Sequence, residues 1–185
     1  AYPGVTEIRP GTYIFQDVSE LRQGVAEPEE CCAVVKVTVV STPTPYRAVI
    51  DGGSKVFAAD KKRMTPPVNL PGFGRIVGHD ELIFDHMNEE HGVILRNDAP
   101  TGLKVGDILY IVPNHVCTTM NLFDFVYLRE KDGSYTRTRG DGRGRVWWES
   151  EFFPAVQIYQ VALRLVEICT AVSGGAQIPC HVFSD

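Results

Sequence analysis

Apolar and polar positions alternate in short runs through the first two thirds of the chain, and glycine and proline break the runs at close intervals. That rhythm predicts strands with one covered face, because successive side chains of an extended segment point to opposite sides. The Val- and Thr-rich run 32–41 predicts a strand. A turn at Pro43-Thr44-Pro45 leads to a partner at 47–51, as in a hairpin with a longer loop. A short strand is expected at 12–15, after Pro10-Gly11, and others at 75–77, 82–86, 92–95, 108–112 and 125–129. Lys131-Asp132-Gly133-Ser134 reads as a hairpin turn with the next strand starting near Tyr135. Asp51 to Ser54 interrupt the pattern before a short helix at 55–60, and 66–74 has a loop composition. Strands this short and closely spaced predict a barrel or sandwich and not βαβ units.

The last third reads differently. A glycine- and charge-rich loop at 140–145 leads to Pro154, after which Ile158, Val161, Ala162, Leu165, Val166 and Cys169 fall near helical spacing. A proline in the first turn suits a helix there, and the frequency of Val, Ile and Tyr keeps a strand pair open. Ser173-Gly174-Gly175 ends the segment. The expected organisation is a β domain over 1–140 and an extension over 141–185 packed on it as one unit.

Composition narrows the function. The 185 residues suit one domain and can bury a core. A net charge of -5 without a basic stripe argues against nucleic acid as a partner, and Lys61-Lys62-Arg63 reads as a solvated turn. No apolar run approaches the roughly 20 residues of a membrane span, and residues 1–10 lack the apolar core of a signal peptide. Five cysteines, an odd number with Cys31 and Cys32 adjacent, do not form a disulfide framework. Cys31, Cys32 and Cys169 are expected as buried thiols in a reducing, cytoplasmic setting.

The chemistry concentrates at Pro113-Asn114-His115-Val116-Cys117-Thr118-Thr119-Met120-Asn121, where a strand runs into a proline. If the chain stays extended, His115 and Cys117 point to one side. An imidazole beside a thiolate suits a borderline-soft ion such as zinc, and two protein ligands suit an open site completed by water or substrate. The alternative is a half-buried histidine beside a core thiol. Asn88-Glu89-Glu90-His91-Gly92 offers an acid/base pair or a third ligand in His91, against a charged hairpin tip with Gly92 making the turn. Asp51-Gly52-Gly53-Ser54-Lys55 reads as an anion-binding nest or an ordinary turn. Cys180-His181 is a further ligand pair of low weight, and His79 and His86 read as solvated or packed. Trp147-Trp148 and Phe152-Phe153 are core, a dimer contact or a pocket wall.

These segments, in this order, resemble the C-terminal domain shared by D-threonine aldolases and eukaryotic D-serine dehydratases. The stretches are 7–15, 37–41, 48–55, 72–74, 89–92 and 106–121, and the P-N-H-x-C-x-T-x-N run is the most specific of them. The resemblance implies a β-barrel of the alanine-racemase C-terminal type, with His115 and Cys117 as zinc ligands. It also puts Tyr13, Ser54, Lys55 and Asn121 forward as substrate contacts. Family members carry a pyridoxal-phosphate barrel ahead of this domain, which needs about 250 residues and has no room in this chain. Lys55 aligns with a lysine of the C-terminal domain and not with the cofactor lysine. The expectation is therefore a zinc-dependent, pyridoxal-phosphate-independent lyase acting on a small hydroxy or carbonyl compound. His115, Cys117 and His91 would hold the metal, and Glu90 or His91 would move the proton. The alternatives are a metal-stabilised binding module and a subunit that completes a separate barrel enzyme. The family is commonly dimeric, which leaves a homodimer open.

Overall fold

The computed structural model describes residues 3–6, 11–59, 66, 68–141, 143 and, by backbone alone, 181–183. The Val-rich run forms β1 (Val34–Thr44), which pairs antiparallel with β2 (Arg47–Ile50). The strand continues through Pro43 and Thr44, and Thr44 sits opposite Arg47, so the turn is tighter and later than Pro43-Thr44-Pro45 predicts. β2 pairs with β5 (Gly92–Leu95), and β5 with β4 (Ile83–Met87). On its other edge β1 pairs with β6 (Ile108–Pro113), and β6 with β3 (Gly74–Ile76). The order β4-β5-β2-β1-β6-β3 nearly closes on itself, because Phe73 N–H, just before β3, donates to the Phe84 carbonyl in β4 at 2.9 Å. The result is a mainly β, six-stranded barrel.

The alternation that marked the strands fills the barrel. Val35, Val37, Val39, Ala48, Ile50, Ile76, Phe84, Ile94, Leu109 and Ile111 point inward and are buried. Each Val, Ile, Leu and Phe among them contributes roughly 1.5–3 kcal/mol by leaving water. Phe84 packs edge-on against Phe57, ring centroids 5.0 Å apart, and against Phe73 at 5.9 Å. Gly92 lies in β5 and does not make the turn: a Cβ there would meet the Phe84 ring and come within 2.7 Å of the Gly52 carbonyl. The turn is instead organised by Asn88, whose Oδ1 accepts from the Glu90 and His91 N–H groups at 3.0 and 2.7 Å.

A second hairpin, β7 (Phe125–Arg129) with β8 (Tyr135–Arg139), stands beside the barrel. The backbone of β9 (His181–Phe183) joins it to the start of β1. The predicted C-terminal helix, Cys169, Cys180 and the aromatic stretch lie outside the described residues.

Residues 12–15 are not a strand. Thr12–Ile14 form a 3-10 turn, followed by α1 (Val18–Gln23). Asp17 caps the start of α1, its Oδ1 accepting from Ser19 N–H at 2.8 Å, and Gly24 ends it at φ 70°. Val18 enters a second small core with Cys31, Val34, Leu70 and Val112. The N-terminal segment is thereby laid across one end of the barrel. Cys31 and Cys32 are buried thiols outside any disulfide, as expected.

Candidate functional site

At that same end β6 gives way to α3 (Val116–Met120), so the chain does not stay extended past Pro113. His115 keeps extended dihedrals (φ -141°, ψ 105°) as the residue ahead of the helix, and Cys117 is already helical. The alternation that would place the two side chains on one side therefore does not apply; a strand-to-helix elbow presents them instead. His115 is half-buried and Cys117 exposed. The Cys117 Sγ lies 3.4 Å from the Thr12 Oγ1, so the N-terminal segment reaches the thiol itself.

Every other position of the motif secures the elbow. Asn114 is buried; its Nδ2 donates to the Gly72 carbonyl at 2.7 Å, and its carbonyl accepts from the Ser19 hydroxyl at 2.7 Å. The His115 carbonyl accepts from the hydroxyls of Thr118 and Thr119, both at 3.1 Å. The buried Thr119 hydroxyl also lies 3.3 Å from the Phe57 carbonyl, tying α3 to α2 (Ser54–Phe57), a helix shorter than the one predicted at 55–60. Asn121 caps α3, is exposed, and its carbonyl accepts from Arg143 Nε at 3.2 Å.

Sequence reasoning missed the carboxylate beneath this elbow. Asp17 has no solvent exposure; its Oδ2 accepts from Val116 N–H at 2.9 Å while its Oδ1 caps α1. Glu20, one turn on, has an Oε2 atom that is buried and without a hydrogen-bond partner among the described residues. Its carboxyl is pushed up to about 7, first by burial and then by hydrogen bonding to Asp17 and by the Asp17 charge. The neighbouring Cys31 thiol is pushed up to about 12, mainly by burial and next by Asp17, which makes it an inert packing group. The signal for this cluster was present in the sequence: Asp17 followed three residues later by Glu20, with Gly24 beyond, is a helix-start and helix-stop pattern.

The remaining candidates surround the same barrel end without forming one cluster. The glycine-rich turn at 51–55 is not an open nest. Ser54 and Lys55 N–H donate to the Asn88 and Glu89 carbonyls at 2.8 and 3.1 Å, so the hairpin tip already occupies it. Lys55 and Glu90 form an ion pair with side chains 65% and 61% exposed, which engages Glu90 with a cation and not with the elbow. Screening leaves such a pair little net energy; Lys55→Ala is expected to leave the urea-denaturation midpoint indistinguishable from wild type. His91 is exposed and lines a shallow depression of about 490 Å³ with Arg47, His86 and Met87. No three His, Cys, Asp or Glu side chains gather at metal-binding distance among the described residues, so His91 is not brought to His115 and Cys117 as a third ligand. Tyr13 is 58% exposed on the 3-10 turn. His79 pairs with Glu81 and His86 with the half-buried Asp85, both at the surface. No helix among the described residues is long and apolar enough to cross a membrane.

Comparison with known proteins places this arrangement. A family profile described as "Putative serine dehydratase domain" matches residues 32–129. An uncharacterized protein of Mycobacterium tuberculosis is 36% identical over 60% of this chain and 82% of its own length. D-threonine aldolase of Arthrobacter sp is 32% identical over 64% of this chain but only 29% of its own. Among solved structures, the alanine racemase-like protein of Idiomarina loihiensis superposes with a TM-score of 0.66 at 26% identity, over 78% of this chain and 40% of that one. The D-threo-3-hydroxyaspartate dehydratase of Delftia sp. HT23 gives 0.64 at 27%, again over 78% and 40%. Solved forms of that dehydratase include alanine variants of a histidine and of a cysteine two positions further on, the cysteine variant in a metal-free form. The chain thus spans less than half the length of the named enzymes it matches, and nearly all of the mycobacterial protein. With more than half its residues inside the family profile and a racemase-like barrel beneath them, the chain belongs to the serine dehydratase-like domain family of D-threonine aldolases and D-serine dehydratases.

Proposed function

We propose that this domain is the metal-binding part of a lyase site, with a divalent ion, zinc by preference, held by His115 and Cys117. The observation that carries the reading is the elbow: a half-buried imidazole and an exposed thiol offered from a backbone locked on both sides. The donor set fits the ion in kind, nitrogen and sulfur, and in number, since two protein donors leave positions for substrate or water. When bound, such an ion supplies Lewis-acid polarisation of a hydroxyl or carbonyl oxygen. The protein's part is to hold the donors. The His115 carbonyl is fixed by Thr118 and Thr119, and the Cys117 thiol is flanked by the Thr12 hydroxyl.

Among the described residues, Lys55 does not fit the role of a pyridoxal-phosphate lysine. Lys55 is exposed and paired with Glu90, which gives no enclosed amine for a Schiff base, and no step is assigned to that cofactor. The reaction class proposed is dehydration or retro-aldol cleavage of a small hydroxy or carbonyl compound. Glu90 and His91 stay at the rim, with Tyr13, Ser54 and Asn121 on the surrounding surface as candidate substrate contacts.

The test is metal analysis of purified protein beside His115→Ala and Cys117→Ala. The expected outcome is about one zinc per chain, at least hundredfold weaker binding in either variant, and an unchanged melting temperature in metal-free buffer. Equal metal content in all three proteins would refute the assignment. Turnover of D-threonine and D-threo-3-hydroxyaspartate, with and without added pyridoxal phosphate, then separates a self-sufficient lyase from a domain that completes another enzyme.

A further inference from the structure

We infer that Asp17 is the positioning residue of the His115–Cys117 pair, acting through the single peptide unit that links His115 to Val116. The inference rests on the reading of these two side chains as metal donors and identifies what aims them.

The peptide 115–116 lies between the two donor-bearing residues, so its plane sets their mutual direction. Both of its polar groups are engaged. The carbonyl, on His115, accepts from the Thr118 and Thr119 hydroxyls at 3.1 Å each. The N–H, on Val116, donates to the Asp17 Oδ2 at 2.9 Å. The acceptor is a carboxylate with no solvent exposure, where a charge-assisted hydrogen bond is strong and directional. Asp17 is itself immobilised, its other oxygen capping α1 through Ser19 N–H at 2.8 Å. α1 in turn is tied to the elbow by the Ser19 hydroxyl on the Asn114 carbonyl, at 2.7 Å. Two short helices therefore start on one carboxylate, and the second begins between the two donors.

An amide in place of the carboxylate removes one acceptor and sets an N–H₂ group against a backbone N–H. In Asp17→Asn one of the two helix starts must therefore go unsatisfied. The orientation of the donor pair is lost while its identity is kept. Groups that orient metal ligands in this way typically alter affinity by roughly 10–100-fold.

The experiment is titration of the apo-protein with Co²⁺, read by the thiolate-to-metal charge-transfer band and the visible d–d bands, with Zn²⁺ affinity from competition against a chromophoric chelator. Wild type, Asp17→Asn and Gly24→Ala are compared. Gly24 ends α1 at φ 70° with open space where a Cβ would go, so its replacement strains that helix without touching the elbow. The expected result is a charge-transfer band in wild type and in Gly24→Ala with equal affinities. In Asp17→Asn the zinc affinity falls at least tenfold and the d–d envelope changes. Equal weakening in Asp17→Asn and Gly24→Ala would reduce Asp17 to a structural cap and overturn the inference. If Asp17→Asn does not fold, Thr118→Val loosens the carbonyl side of the same peptide. Several-fold weaker binding there supports the clamp, and unchanged binding overturns it. A wild type without the charge-transfer band would overturn the metal reading itself, a result distinct from the other two.

Discussion

Gly53→Ala is expected to destabilise the protein by more than about 3 kcal/mol in urea or thermal unfolding. A Cβ at this position would stand 2.6 Å from the Glu89 carbonyl oxygen and closer still to that of Asn88. These are backbone atoms of the β4–β5 tip, not the ends of flexible side chains, so nothing can rotate away. Both carbonyls are also acceptors, of the Ser54 and Lys55 N–H groups at 2.8 and 3.1 Å. Backing the hairpin off by the needed distance breaks those bonds. Overpacking costs about 1–3 kcal/mol, and two stretched backbone hydrogen bonds add about 1 kcal/mol each. A midpoint unchanged from wild type would show that the hairpin tip and α2 do not meet as described.

Glu20→Gln is expected to act in the opposite direction, and only as the pH rises above about 4.5. The folded chain holds the Glu20 proton up to about 7, against 4.5 for an ordinary glutamate. The native state therefore binds more protons than the unfolded one between these two values, and stability falls as pH rises through that window. The favourable contribution is complete below about 4.5 and gone above about 7. Solvent screening of this partly buried group reduces the difference to about 1–2 kcal/mol. Glutamine keeps the shape of the neutral acid and cannot ionise. Unfolding free energies measured by urea titration should coincide near pH 4 and diverge towards pH 8, with the variant more stable by about 1–2 kcal/mol at the upper end. Parallel curves across that range would mean that Glu20 is solvated.

The strands were legible because their information is local. The Val and Thr run of β1 and the Asp132-Gly133 turn before β8 each carry their own signal, and the structure places them within a few residues of the expected limits. The elbow was legible in identity but not in shape. His115 and Cys117 were named from their residue types, and the ordered set of motifs, more than any single spacing, pointed to the family. Their geometry was misjudged because the period of β6 was carried past Pro113 into residues that are helical. What makes the elbow a site joins positions far apart: Asp17 to Val116 across 99 residues, and Thr12 to Cys117 across 105. No local pattern reports such pairings. The loop at 51–55 failed as an anion site for a related reason, since the groups that occupy it come from the 88–89 backbone.

The Val116 amide offers a gauge of the whole arrangement. Its proton sits on a carboxylate supplied by the N-terminal segment, while the residues beside it belong to the barrel. In deuterated solvent that proton exchanges only when the segment lifts from the barrel end, whereas the amides of β1 and β6 wait for the barrel to open. The ratio of the two exchange rates therefore measures how often the donor pair is out of alignment in an otherwise intact molecule. Any fusion, truncation or bound partner that lifts residues 12–23 would disarm the proposed metal site without unfolding the domain.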